Sequence, residues 1–293
     1  MARRWGLAVA LFVLAVAGAA SAADGAFDYD RSAALDVTSG PVRRIQAGVT
    51  ARDVSFASPS GRRVTGEIIS GSRPGARPGV LFVHWLGEPK TTNHTEFEKD
   101  AIALARRGAT SVLVDAMWAK ANWFDSVGVS DAADVRQAAG QVIDLRRALD
   151  VLERQKGVDP ARIAYVGHDF GAMFGALLAG VDARPRVFVL MAGVPTMSEW
   201  YLLGKTHAHR DDYVKALDVL DITGGLGGSK AKAFLFQFAQ HDRYIAPDRA
   251  ARFSDGSPLP RAVMTYDADH SLSIPAAFAD RQAWLREQLF EFN

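Results

Sequence analysis

The sequence predicts an α/β fold, a mostly parallel sheet with helices on both faces, and three observations carry that reading. Apolar runs of strand length recur along the chain, among them "VLFVHW", "TSVLVDA", "IAYVGH", "RVFVLMAG" and "AFLFQFAQHD". Such runs suit strands buried on both faces. Between them lie helical patterns, clearest over residues 131–155, where Val135, Ala138, Val142, Leu145, Leu149 and Leu152 recur at three- and four-residue steps. Strands that alternate with helices of this kind form parallel sheets covered on both sides.

At the start, Arg3 and Arg4 precede the apolar run "LAVALFVLAVA" and the small-residue stretch "GAASAADG". These are the marks of a secretory signal peptide over residues 1–22, cut after Ala22, and the run is too short to be a comfortable membrane anchor. The expectation is an exported protein, periplasmic or secreted, with no stable membrane anchor after cleavage. The signal holds two of the 34 basic residues and none of the 33 acidic ones, so the remainder carries 32 against 33. That near-neutral balance, without a basic run, argues against nucleic acid as a partner. With no cysteine in the chain, disulfides, thiolate metal sites and a Cys nucleophile are all excluded.

Residues 23–50 read as a polar leader with little order, and residues 51–293 as one domain. In that domain "VSFASP" and "RRVTGEIIS" flank a Ser60-Gly61 turn and form a hairpin. The Pro/Gly-rich loop "GSRPGARPG" leads into "VLFVHW". A helix is expected over residues 96–107, then the strand "TSVLVDA". The long helix follows, with Ser130 as its cap and Gly157 past its end. After "IAYVGH" come a small-residue helix from Gly171, the strand "RVFVLMAG" and an insertion over residues 194–232, placed where a lid could cover the C-terminal ends of the strands. Two further strands and an amphipathic helix with Leu285, Leu289 and Phe292 on one face complete the chain.

The chemistry concentrates in "GHDFG". A strand that turns directly into a helix between two small residues holds the central side chain, here Asp169, out at the top of the sheet. Asp242 ends the strand "AFLFQFAQHD" and His270 ends "RAVMTYDADH". Nucleophile, acid and histidine thus lie at three strand ends in the order of a catalytic triad. The pattern resembles the α/β-hydrolase superfamily, and "VDPARIAYVGHDFGA" resembles dienelactone-hydrolase-like and prolyl-oligopeptidase-like members. Asp169 stands where those members carry another nucleophile, and Gly-His-Asp-Phe-Gly is similar to the Gly-His-Asp-Trp-Gly of epoxide hydrolases and haloalkane dehalogenases.

The resemblance implies an α/β-hydrolase fold with a short lid and an oxyanion hole built from the backbone N–H groups of Trp85, with Leu86 as the alternative, and of Phe170. It implies an Asp169 alkyl ester that water, activated by His270 and Asp242, then hydrolyses. Epoxides rank ahead of haloalkanes as substrates, with Tyr201 and Tyr213 as proton donors in the lid. A dienelactone-hydrolase-like ester or lactone hydrolase is the alternative, and a degenerate hydrolase that only binds is a third reading. The expected partner is a small, largely apolar molecule in a pocket lined by Trp118, Trp123, Phe124, Met173 and Trp200. No cofactor is expected. The cluster His207, His209, Asp211 and Asp212 reads as a solvated lid helix rather than a metal site.

Overall fold

A computed structural model describes residues 25–87 and 93–291. The expected signal peptide lies outside the described residues. Among those described, the strands are β1 (Thr38–Ser39), β2 (Arg43–Gln46), β3 (Val49–Ala57), β4 (Arg63–Gly71), β5 (Arg77–Val83), β6 (Thr110–Val114), β7 (Val158–His168), β8 (Pro185–Met191), β9 (Ala233–Ala239) and β10 (Arg261–Tyr266). The helices are α1 (Glu98–Ala105), α2 (Trp123–Ser126), α3 (Asp131–Glu153), α4 (Phe170–Val181), α5 (Met197–Tyr201), α6 (Arg210–Leu217), α7 (Ile222–Gly227), α8 (Pro247–Asp255) and α9 (Pro275–Phe290).

All ten strands join one sheet in the order β1-β3-β4-β6-β5-β7-β8-β9-β10, with β2 paired to β3. From β6 to β10 every pairing is parallel, and β3, β4 and β6 pair antiparallel. The α/β class and the opening hairpin therefore stand as the sequence predicts. Central strands such as β5 and β6 are buried along almost their whole length, which is why their residues are apolar without alternation. Because the parallel strands run the same way, β5, β7, β9 and β10 all end at one edge of the sheet, and their following loops converge there.

Three local expectations change. The helix expected over 96–107 begins as a 3₁₀ turn, His94–Phe97, and α1 follows it. The Asn93 side chain accepts the Thr95 N–H at 2.9 Å and so caps that turn. The Ser130 side chain does not cap α3. Asp134 instead takes the Gly128 N–H at 2.9 Å, closing the approach to the helix from inside its first turn.

The leader is also more ordered than its polarity suggests. Phe27 and Leu35 are buried, and the segment lies along α3 through Tyr29 to Asp150 and Arg31 to Glu153. Arg146 and Arg147 on α3 donate to the Phe27 and Ala33 carbonyls at 2.6 and 2.8 Å. Charged residues read as solvated from sequence are here hydrogen-bonded to an acid-rich helix.

At the other end of the domain a buried ion pair locks α9 to α1. Arg281 reaches Asp100 through two bonds of 2.8 and 3.1 Å and also donates to Gln237 on β9. Removing one partner strands the other charge inside the protein. Arg281→Met is expected to lower stability by about 3–5 kcal/mol, and Arg281→Met combined with Asp100→Leu to recover most of that loss. Urea unfolding midpoints of the two variants and the parent would check this.

Candidate active site

The site is organised by the turn from β7 to α4. Asp169 sits there with φ 56° and ψ −115°, a conformation that non-glycine residues rarely adopt and that costs about 1–3 kcal/mol. The crowding explains its neighbours. A Cβ on Gly171 would lie 2.3 Å from the Val83 carbonyl oxygen, and one on Gly167 2.3 Å from that of Gly171. No side chain fits at either place, so the pentapeptide needs glycine on both sides of the elbow.

The structure brings Asp169, Asp242 and His270 together. His270 Nδ1 lies 2.7 Å from Asp242 Oδ2. The other Asp242 oxygen accepts the Tyr244 and Ile245 N–H groups at 2.8 and 3.1 Å, which fixes the carboxylate behind the ring. With Nδ1–H donated to Asp242, Nε2 is left facing Asp169, 4.0 Å from Oδ1. All three side chains are less than a tenth exposed.

The two oxygens of Asp169 differ in their surroundings. Oδ2 accepts the Leu86 N–H at 3.0 Å, and the Phe170 N–H also stabilises the carboxylate. Oδ1 is buried without a hydrogen-bond partner. Burial raises the Asp169 pKa above the ordinary carboxylate value, while His270, the Leu86 N–H, His168 and the Phe170 N–H pull the other way. A carboxylate with one oxygen tethered and the other free, next to a histidine held by an acid, can act as a nucleophile through the free oxygen.

The backbone donor read from sequence as Trp85 is Leu86. The Trp85 N–H points to Glu96 Oε2 at 2.7 Å and is unavailable to the site. Glu96 Oε1 lies 2.7 Å from His168 Nδ1, and His168 Nε2 lies 3.0 Å from the His270 carbonyl oxygen. The Trp85 ring stacks on the His168 ring, 5.1 Å between centroids and 4° from parallel. The neighbouring His84 is arranged differently: one ring nitrogen faces the Trp85 carbonyl and the other accepts the Ala116 N–H. That pattern describes a neutral ring, and burial lowers its pKa.

A cleft of about 680 Å³ opens on Asp169 and His270, walled by Trp85, Leu86, Phe124, Trp200 and Tyr244, with Arg243 at its mouth. Of the expected pocket residues Phe124 and Trp200 line it. Trp118 and Trp123 pack against Phe170 from within the core, and Met173 is fully buried. Neither lid tyrosine reaches the cleft. Tyr213 is buried and donates to Asp134 Oδ2 at 2.7 Å, and Tyr201 is enclosed against Trp123 and Phe170. The tyrosine beside the site is Tyr244, its ring 5.0 Å from that of His270. Its hydroxyl accepts a hydrogen bond from Arg243 at 2.7 Å.

A larger hollow, about 880 Å³, lies on the Trp123 side of α2 and is lined by Arg62, Lys120 and Arg136 among others. It contains none of Asp169, Asp242 and His270, so size alone does not mark the site. In the insertion, the His207 ring lies tilted against Tyr213, 4.8 Å between centroids, and His209, Asp211 and Asp212 are exposed to solvent at the start of α6.

No protein-family model matches the chain, and no curated protein sequence does. Solved structures do. The chain is similar to an acetyl xylan esterase from Paenibacillus sp. R4, with TM-score 0.71 and 16% identity over 87% of this chain and 89% of that one. Acetyl xylan esterase 1 from Thermoanaerobacterium sp. JW/SL YS485 superposes with TM-score 0.72 and 16% identity, covering 92% of each. A cold-adapted esterase from an Arctic intertidal metagenomic library gives TM-score 0.63 and 17% identity over 86% of this chain and 99% of that one. What these proteins share at such identities is their architecture, and the chain has the α/β-hydrolase fold.

Proposed function

We propose that the protein is a hydrolase that opens epoxides through a covalent ester on Asp169. The observation that carries this reading is the split environment of that carboxylate: Oδ2 tethered by the Leu86 N–H, Oδ1 free and facing His270. In the first step Asp169 Oδ1 attacks a ring carbon, the C–O bond breaks, and the alkoxide takes a proton. Tyr244 is the phenol that lines the cleft, and because its oxygen already accepts from Arg243, its own proton is free to be given. In the second step His270 Nε2 takes a proton from water and the hydroxide adds to the Asp169 carbonyl carbon. Charge then gathers on Oδ2, which already accepts the Leu86 N–H, with the Phe170 N–H also favouring negative charge on the group. On collapse His270 returns its proton to the departing alkoxide oxygen, the new Asp169 carboxyl gives its proton back to the Tyr244 phenolate, and the diol leaves with the carboxylate, the base and the phenol all restored.

The similar structures are esterases, which favours a second reading, hydrolysis of an ester or lactone. It meets an obstacle in this chain. An ester carbonyl needs the oxyanion donors for itself, and here the Leu86 N–H is bonded to Asp169. Attack by Asp169 on an ester would also produce an anhydride. Haloalkanes share the saturated carbon and rank second among substrates for Asp169. Residues 1–22 and their expected removal lead us to propose that the enzyme works outside the cytoplasm.

His270→Gln should leave the first step intact and slow the second by about 10²- to 10⁴-fold. Incubated with separate panels of epoxides, haloalkanes and simple esters, this variant is expected to gain the full mass of an epoxide on the peptide that holds Asp169. An adduct from haloalkanes instead would change the substrate class. Turnover of esters without any adduct would put the second reading first, and binding without turnover or adduct would favour a non-catalytic protein.

The rate of adduct formation carries a further test. Asp169 attacks only when ionised, so the rate should rise with pH and level off above its pKa. Because burial raises that pKa, the midpoint is expected above the ordinary carboxylate value of about 3.9. Because His270 pulls that pKa down, the midpoint should lie further up in His270→Gln than in the parent. Initial adduct rates by mass spectrometry from about pH 4 to 8 would show both.

A further inference from the structure

We propose that Glu96 and His168 form a buried ion pair that positions both halves of the site, with Glu96 drawing the Trp85 N–H aside so that the Leu86 N–H is presented to Asp169, and His168 holding the loop that carries His270. The kinetic part of this proposal rests on Asp169 being the nucleophile, whereas the ion pair and its hold on the backbone do not.

The hydrogen-bond inventory argues for the charge. The His270 carbonyl oxygen can only accept, so His168 Nε2 carries a proton. Nδ1 faces Glu96 Oε1 at 2.7 Å, while Glu96 Oε2 already accepts the Trp85 N–H. A carboxylate that accepts on both oxygens leaves the second ring proton on His168. The ring is fully buried, so a lone imidazolium would be costly there. It is not alone. The titratable groups around it are Glu96 from the 3₁₀ turn, the adjacent Asp169, and His270 with its ring 5.6 Å away. Burial pushes the His168 pKa down, yet Glu96 and Asp169 outweigh it and leave the pKa raised. The Trp85 ring lying flat on the imidazole adds a favourable face for a cation.

The pair joins three segments that are remote in the sequence. Glu96 fixes the backbone after β5, His168 is the last residue of β7, and the His270 carbonyl belongs to the loop after β10. Since His168 is bonded to the backbone of His270 and not to its ring, it acts on the position of the base without competing for its proton.

The experiment uses the chain labelled with [¹⁵N]histidine and its backbone amides. His168→Gln identifies the His168 ring signals by their loss. In the parent both His168 ring nitrogens are expected in the protonated range at pH 7, where an ordinary histidine is mostly neutral. Glu96→Gln keeps the hydrogen bonds, its amide donating to Nδ1 and its oxygen accepting from Trp85, but not the charge, so one His168 nitrogen should lose its proton. A neutral His168 in the parent at pH 7 would overturn the ion pair. For the positioning role, Glu96→Ala frees the Trp85 N–H, and exchange of the Leu86 amide is expected to speed up by about tenfold or more, against less than about threefold in Glu96→Gln. Unchanged Leu86 exchange in a folded Glu96→Ala protein would remove that role.

Both readouts need no substrate, so they stand whether or not an adduct ever forms. Where one does form, Glu96→Ala should slow its appearance by about tenfold or more and Glu96→Gln by less than about threefold. An adduct rate in Glu96→Ala equal to the parent's would reject the kinetic part alone.

Discussion

The turn at Asp169 is the constraint on which the site depends. One residue with φ 56° converts the end of β7 into the start of α4 and leaves its side chain enclosed under the loops that follow β5 and β10. A serine so placed would bring a neutral hydroxyl. Asp169 brings a negative charge into a buried position, and the surroundings answer it with the Leu86 and Phe170 N–H groups, His168 and His270. Each of these lowers the cost of ionising a group that burial would otherwise keep protonated. The donors that an oxyanion would need are thus placed around an anion that the chain itself supplies.

The scaffold that supports this turn is braced by α3, whose buried acids reach in three directions. Asp150 takes Tyr29 of the N-terminal segment together with Arg147 and Arg184. Asp144 takes Ser60 from the β3–β4 hairpin and pairs with Arg62, and Asp134 takes Tyr213 from the lid. A buried carboxylate is tolerated when donors satisfy it, and here the donors come from segments far apart in the sequence. The 194–232 insertion is thereby tied to α3 through a hydrogen bond, and Trp200 of α5 in the same insertion lines the cleft.

What the sequence makes legible is what periodicity and turn chemistry encode. The strand runs, α3, the elbow and the placement of Asp242 and His270 at strand ends all follow from local pattern, because a parallel sheet gathers its strand ends at one edge whatever the loops do. The rest depends on partners that no pattern reveals. Tyr213 and Tyr244 are both plausible phenols in the sequence, and only packing shows that Asp134 takes one while the other stands beside His270. The assignment of Trp85 over Leu86 fails by one residue because Glu96, eleven positions on, removes the Trp85 N–H. The polar leader conceals Phe27 and Leu35, two apolar side chains that the fold buries. His168 was in view inside the elbow motif, yet nothing local pairs it with Glu96.

The position of the oxyanion donors bears on the order of chemical events. In an esterase of this fold the hole must be empty when substrate arrives, because the oxyanion forms on the substrate's own oxygen. Here Asp169 Oδ2 occupies it from the start. In an alkyl-transfer mechanism that occupancy is useful at both stages. While Asp169 is a carboxylate, the Leu86 N–H holds Oδ2, which leaves Oδ1 for the substrate. Once Oδ1 carries the alkyl group, Oδ2 has become the carbonyl oxygen of an ester already in place for attack by water, with His270 Nε2 4.0 Å from the Oδ1 position. In that mechanism the same donors orient the nucleophile and then stabilise the charge that develops on it. A substrate ester gains none of this, since it would first have to displace a tethered anion from the hole.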